Sequence, residues 1–307
     1  MEYLQRFLFD HLTPSQTVSV RLHKHTKMKL YKTTKGILLQ TDTGIYILQE
    51  DWDKLVNRQN LYGYLKEHKN TKEGITAEVF DEWVTGCLPP IGTQEMWAAG
   101  VTYLRSRDAR MEESQTSGGA TFYDKVYAAE RPELFFKALP QRVVGNNTEV
   151  YIRKDSTWNV PEPELTLYIN SWGEIQGYTI GNDMSSRSIE GENPLYLPQA
   201  KVYERSAALG PCLYIPELPI APETTISIII KRDGKELFND SIQLNRMKRS
   251  LTELAGYLFL ECAFPVGCYL MTGTGMVPGN DFTLHVGDEV SITIENIGTL
   301  TNTIGVR

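Results

Sequence analysis

Short apolar runs broken by turn residues dominate the second half of the chain. Leu165 to Asn170 and Glu174 to Ile180 flank Ser171-Trp172-Gly173, and Thr225 to Lys231 and Leu237 to Ile242 flank Asp233-Gly234. Each pair predicts a hairpin, because a glycine-bearing turn between two apolar runs lets the chain reverse on itself. Val290 to Ile294 predicts a further strand near the end. The first part of the chain is mixed. Gly36 to Leu39 and Gly44 to Leu48 are joined through Thr41-Asp42-Thr43, another hairpin signal. Asp51 to His68 carries Leu55, Leu61, Tyr64 and Leu65 in a helical pattern, and Glu78 to Trp83 reads the same way. Ser250-Leu251-Thr252-Glu253 has the form of a capping box, opening a helix of about ten residues. The paired prolines of Leu88-Pro89-Pro90-Ile91 end helices and stiffen linkers. They divide the chain into a small α+β domain, residues 1–88, and a strand-rich domain, residues 89–307. The fold class read from this pattern is α+β and β-rich.

Composition narrows the class. With 307 residues the chain is long enough for a large core, and a hydrophobic content of 41 % is that of a folded protein. A net charge of −7 argues against broad nucleic-acid binding, which needs a basic face. No run of 18 apolar residues is present and the first residues lack the pattern of a signal peptide, so neither a membrane span nor secretion is expected. The four cysteines, Cys87, Cys212, Cys262 and Cys268, have no metal-site spacing. Reduced thiols in a cytoplasmic protein are the reading that follows.

Candidate chemistry concentrates in Val160-Pro161-Glu162-Pro163-Glu164-Leu165. In extended backbone, residues i and i+2 point to the same face, so Glu162 and Glu164 converge on one point while two prolines stiffen the approach. Asp183 follows in Gly181-Asn182-Asp183-Met184-Ser185-Ser186-Arg187. Three anionic oxygens without nearby His or Cys suit a hard cation: Mg²⁺, with Mn²⁺ or Ca²⁺ as alternatives, rather than zinc.

Further elements follow in order: Gly177-Tyr178-Thr179-Ile180-Gly181-Asn182-Asp183, then Lys201 before Gly210-Pro211, the loop Thr272-Gly273-Thr274-Gly275, and Gly287-Asp288-Glu289-Val290 with Ile297-Gly298-Thr299-Leu300-Thr301-Asn302. This ordered set resembles the fumarylacetoacetate hydrolase superfamily over about residues 90 to 307. The resemblance implies a mixed β-sandwich roll with the active site between its sheets, a smaller N-terminal domain, a homodimer or homotetramer, and a mobile lid at about residues 104–119. For that segment the bottom-up reading is a charged helix followed by Gln115-Thr116-Ser117-Gly118-Gly119, a composition closing segments often use.

One departure from the family pattern decides the expected chemistry. Hydrolases of the superfamily carry N-Y-x-x-H, whose His activates water. Here the segment reads Gly100-Val101-Thr102-Tyr103-Leu104-Arg105-Ser106, with Ser106 at the His position. The five histidines, His11, His23, His25, His68 and His285, all lie elsewhere; His23 and His25 read as surface residues and His285 as structural. Without that base, acylpyruvate-type C–C hydrolysis and a non-catalytic metal scaffold are the secondary readings. The insert from Glu190 to Lys201, with Tyr103-Leu104-Arg105-Ser106-Arg107, resembles instead the 2-keto-3-deoxy-D-arabinonate dehydratase branch. That implies a hydro-lyase converting a 2-keto-3-deoxy pentonate to 2,5-dioxopentanoate and water, with a small 2-oxo acid as its partner molecule. By matched position, Glu162, Glu164 and Asp183 hold the metal and Lys201 contacts the substrate. Lys137, in Pro132-Glu133-Leu134-Phe135-Phe136-Lys137, is either structural or substrate-facing. Glu133 is the candidate base, since a carboxylate at the start of an apolar strand has its pKa raised. Arg105 and Ser106 are candidates for the substrate carboxylate or the leaving hydroxyl, and Thr274 marks a glycine loop whose backbone N–H groups approach the substrate.

Overall fold

The computed structural model describes residues 27–68, 74–113 and 120–307. His11, His23 and His25 and the predicted hinge Ser117-Gly118-Gly119 lie outside the described residues. The chain opens with strands β1 (Lys27–Thr33), β2 (Gly36–Thr41) and β3 (Gly44–Leu48) and helices α1 (Trp52–Val56), α2 (Leu61–His68) and α3 (Ala77–Val84). The middle contributes β4 (Glu95–Gly100), α4 (Leu104–Glu113), α5 (Ala120–Ala128), β5 (Glu133–Ala138), β6 (Val143–Val144), β7 (Thr148–Ile152), β8 (Asn159–Val160), β9 (Pro163–Ile169), β10 (Ile175–Asp183), β11 (Ser185–Ser186), α6 (Arg187–Glu192), α7 (Leu197–Lys201) and β12 (Ala207–Pro216). Strands β13 (Thr225–Arg232) and β14 (Lys235–Gln243), helix α8 (Leu251–Phe259), and strands β15 (Cys268–Met271), β16 (Glu289–Ile294) and β17 (Gly298–Val306) complete it.

Two sheets carry the architecture. The larger runs β3-β2-β1-β12-β10-β9-β15-β4-β5, with β6 attached to β12, and the smaller runs β14-β13-β16-β17-β7. The expected hairpins are present. Asp233 and Gly234 both adopt positive φ, 52° and 76°, the turn that matches the twist of two flanking strands. The β9–β10 turn is organised by Asn170, whose Oδ1 accepts from the N–H groups of Trp172 and Glu174. Strand β1 pairs antiparallel with β12 from Lys27↔Pro216 to Leu30↔Leu213, so the first three strands extend the large sheet.

Side-chain alternation along the large sheet builds two cores. In β9, Leu165, Leu167 and Ile169 face one cluster, shared with Ile226, Ile228, Ile292 and Ile294 of the small sheet and with Leu254 and Leu258 of α8. Tyr168 faces the other, shared with Leu55 of α1 and Leu61 and Leu65 of α2. Burying each such Leu or Ile stabilises by roughly 1.5–3 kcal/mol. The capping box at Ser250 forms as read, with Ser250 and Glu253 bonded reciprocally. The helical pattern over 51–68 forms two helices. Helix α1 ends at Asn57, whose N–H donates to Asp53 O, and Asn60, at φ 49°, precedes α2 with its side chain accepting from the Gly63 N–H.

Candidate active site

Glu162 and Asp183 meet because their backbones pair reciprocally: the Glu162 N–H donates to Asp183 O (3.1 Å) and the Asp183 N–H to Glu162 O (3.0 Å). Glu164, two residues into the same extended segment, shares the face. Ligand oxygens of the three lie within 4.8 Å of one another, and all three residues are buried. The sequence reading thus places the triad correctly in space.

Cationic side chains surround it. Lys201 Nζ donates to Glu162 Oε2 (2.7 Å), Asp183 Oδ2 (3.1 Å) and Ser185 Oγ (2.6 Å). Arg187 meets Glu162 Oε1 at 2.6 Å. Lys137 Nζ sits 2.5 Å from Asp183 Oδ1 and donates to the carbonyls of Met184 and Lys201. Lys137 thus sits beneath Asp183 and is not among the residues that line the cleft. Burial pushes its amine below the ordinary lysine range, with Asp183 pulling the other way.

The two glutamates, two residues apart, are pushed in opposite directions. For Glu162, burial opposes ionisation, but Lys201, Arg187 and Arg110 outweigh it and hold the carboxyl well below the usual range. Glu164 has weaker cationic support. Burial, then Asp183, then Glu162 push its carboxyl well above the usual range, against which Lys201 pulls and the Gly273 N–H donates to Oε2 at 2.6 Å. A buried carboxyl driven towards its neutral form by two carboxylate neighbours is what a missing positive charge leaves behind. Three hard oxygen donors and an excess of negative charge at Glu164 fit a divalent cation of the magnesium type.

The cleft is narrow, with a free volume of about 10 Å³, and is lined by Gly100, Val101, Ser106, Arg110, Phe135, Glu162, Glu164, Arg187, Lys201, Gly273 and Thr274 among others. Gly273, at φ 93°, is forced: a Cβ there would stand 2.0 Å from Thr102 Oγ1. Thr274 lines the cleft with its hydroxyl bonded to the Met276 backbone. Val101 is the residue whose conformation is least expected. A β-branched side chain at φ 52° is costly, and such backbones gather at functional sites.

Glu133 opens β5 opposite Gly100, and its carboxylate lies over that glycine, where a Cβ would come within 2.0 Å of Oε2. Its surface is half-buried. Burial raises its carboxyl above the ordinary range, partly offset by Arg110 and Lys201 and reinforced by Glu162. Ser106 lines the cleft, but its oxygen accepts from the Tyr103 N–H (3.2 Å) and donates to Tyr103 O (2.8 Å), so it caps the start of α4. Arg105 is exposed and absent from the lining. Helical phase accounts for this: Ser106 and Arg110, four apart, share the inward face, while Arg105 is turned away in this structure. Arg110, Arg187 and Glu190, all buried, are the site residues that sequence reasoning assigned no role.

The comparisons agree with this geometry. The profile for the fumarylacetoacetate (FAA) hydrolase C-terminal family matches residues 111–305, more than half of the chain, and the chain belongs to that family. Within it, the chain is 50 % identical over 216 residues to a probable 2-keto-3-deoxyxylonate dehydratase of Haloferax volcanii, covering 70 % of this chain and 73 % of that protein. It is 43 % identical over 222 residues to the 2-dehydro-3-deoxy-D-arabinonate dehydratase of Saccharolobus solfataricus, covering 71 % and 74 %. Among solved structures, 2-keto-3-deoxy-D-arabinonate dehydratase complexed with magnesium and 2,5-dioxopentanoate superposes with a TM-score of 0.76 at 34 % identity, over 92 % of this chain and 99 % of that one.

Proposed function

We propose that this chain is a magnesium-dependent hydro-lyase that converts a 2-keto-3-deoxy pentonate to 2,5-dioxopentanoate and water. The observation that carries the reading is the buried Glu162–Glu164–Asp183 triad with Lys201 on two of its members, in a cleft that no His enters among the described residues. Bound at the triad, a divalent cation supplies Lewis-acid polarisation of the 2-oxo acid. The chain's own groups do the rest. Glu133, its carboxyl raised towards the working range of a general base, takes the C3 proton. Lys201 faces the charge that builds on the C2 oxygen as that proton leaves. The C4 hydroxyl departs as water with the proton that Glu133 took from C3; transfer of a C5 proton to C3 then leaves an enol across C4 and C5, and its tautomerisation at C4 gives the aldehyde. Thr274 and the Gly273 loop bound the substrate on one side, and α4 covers the other with Ser106 at its start.

Residues 89–307 carry this chemistry, with residues 1–88 as a smaller N-terminal unit, and the working form is a cytoplasmic homodimer or homotetramer. Among the described residues no helix is long and apolar enough to cross a membrane. Light scattering tests the assembly. The activity is tested by incubating the protein with Mg²⁺ and a panel of 2-keto-3-deoxy aldonates. The expected product retains every carbon, is lighter by one water, and carries solvent deuterium on its chain when made in D₂O. Two carbon fragments from an acylpyruvate, with no turnover of any 3-deoxy sugar acid, would overturn the reading.

A further inference from the structure

Four buried charged side chains form a closed ring beside the triad. Arg110 of α4 is ion-paired with Glu190 of α6 and lies 3.5 Å from Glu162 Oε1. Arg187 closes the ring, 2.6 Å from the same Glu162 oxygen and 3.5 Å from Glu190 Oε2. The charges alternate around the ring, and its members come from helix α4, helix α6 and a carboxylate of the triad.

Helix α4 meets α5 through Arg107, which lies 3.7 Å from Asp124 and over the Tyr127 ring, but its tie to the triad side of the cleft runs through Arg110. Its sequence, Leu104-Arg105-Ser106-Arg107-Asp108-Ala109-Arg110-Met111-Glu112-Glu113, presents no apolar stripe, and Leu104 is 49 % exposed. A helix that is polar all round owes its seat to polar contacts rather than to an apolar stripe. Its buried side chains are Ser106, Ala109 and Arg110, of which Arg110 alone reaches across to another element through a buried ion pair. Breaking one partner of a buried pair leaves the other charge uncompensated, so the seat is sensitive to single substitutions.

We infer that Arg110 is a positioning residue, anchored by Glu190, that holds helix α4 over the cleft and ties its position to the occupancy of Glu162. A cation held by Glu162 would compete with Arg110 for that carboxylate, and the Arg110–Glu190 pair would then be the remaining tie of Arg110 to the ring. Glu190 touches neither metal nor substrate in this account; it acts through Arg110. The inference rests on the dehydratase reading for its kinetic arm only.

The test compares Arg110→Lys, Arg110→Ala, Glu190→Gln and the double variant Arg110→Ala/Glu190→Gln in the full chain. Hydrogen exchange is read over residues 104–113 with and without Mg²⁺, and cation affinity is read by calorimetry. Exchange of α4 is expected to rise about tenfold or more in Arg110→Ala and Glu190→Gln, with the large sheet unchanged, and the double variant should add little to either single change. Arg110→Lys should restore part of the protection. Mg²⁺ affinity of Glu190→Gln should stay within about threefold of the unsubstituted protein, while KM for the 3-deoxy acid rises and kcat changes less. Unchanged α4 exchange in both single variants overturns the inference. Exchange that rises throughout both sheets overturns it too, since the ring would then be a general stabiliser. A protein that turns over no 3-deoxy acid but shows the selective exchange response refutes the proposed function and leaves the anchor standing.

Discussion

Strands β9 and β10 of the large sheet and strands β13 and β16 of the small one obey different rules. Strand β13 alternates, with Ile226, Ile228 and Ile230 buried between more exposed neighbours, and β16 does the same with Val290, Ile292 and Ile294. One face packs and the other meets water. Strand β9 is buried at every position, and β10 from Gly177 to Asp183, although Glu164 and Asp183 stand in them. Sheet stability alone does not call for buried carboxylates, which are costly unless compensated. The small sheet obeys the folding rule; the pair β9–β10 breaks it at its charged end, and that is where the chemistry collects.

The largest effects should therefore follow from changes in the triad. Glu162→Gln, Glu164→Gln and Asp183→Asn are each expected to abolish divalent-cation binding and turnover with the fold retained, checked by calorimetry with Mg²⁺ or Mn²⁺ and by circular dichroism. If all three variants keep the original affinity, the contrast between the two sheets has no catalytic meaning. Glu133→Gln comes next. Turnover should fall by about 10²-fold or more, as for loss of a general base, with cation affinity little changed. Because burial raises the Glu133 carboxyl, its ionised fraction grows as pH climbs through that raised value, so kcat should rise with pH in the original protein and lose that dependence in the variant. An identical pH profile in both would remove Glu133 from the role.

A smaller effect sharpens the contrast between Glu162 and Glu164. The carboxyl of Glu164 is pushed well above the ordinary range by burial, Asp183 and Glu162, and a cation binding there competes with its proton. Affinity for Mg²⁺ should therefore increase with pH up to that raised value and level off above it. Calorimetry in buffers of different ionisation enthalpy should show proton release on binding. No proton release at neutral pH would mean that Glu164 is already ionised and that the asymmetry between the two glutamates is absent.

Much of this was legible in the residue order. Turn chemistry at Asp233-Gly234, the capping box at Ser250 and the i, i+2 spacing of Glu162 and Glu164 are local signals, and each acts over a few residues. The triad needed Asp183 as well, and the resemblance supplied what spacing alone does not. Arg110 and Glu190 are eighty residues apart in number by subtraction of their positions, and no periodicity links them. Their pairing depends on how α4 crosses α6, and the polar pattern of α4 gives the hydrophobic reading nothing to phase on. Arg105 stands in the motif and Arg110 outside it; the helical turn puts Ser106 and Arg110 on one face and Arg105 on another. Lys137 read equally as structural or substrate-facing because its three partners come from β10, β11's approach and α7, all distant in the chain.

In the small sheet, Ile228→Ala should leave kcat/KM and cation affinity unchanged while lowering stability by about 2–5 kcal/mol, the range for truncating a buried Ile. Denaturant unfolding reads the loss, and a matching fall in cation affinity would show that the two sheets are not separable.

The smallest expected effect uses the same chemical change as the largest. Glu289 opens β16 with its side chain exposed, opposite Lys231 of β13 in the strand register. Glu289→Gln removes a charge that water already solvates, so the transfer that makes a buried carboxylate costly never occurs. An exposed pair of opposite charges is worth little, and the substitution should change stability by no more than about 0.5 kcal/mol. Turnover and Mg²⁺ affinity should not move. The same Glu→Gln exchange at position 164 abolishes both, so the two variants differ only in the surroundings of the carboxylate. A clear loss of cation binding in Glu289→Gln would mean that the chain's overall negative charge, rather than the buried triad, concentrates the cation, and the comparison between the sheets would fail at its base.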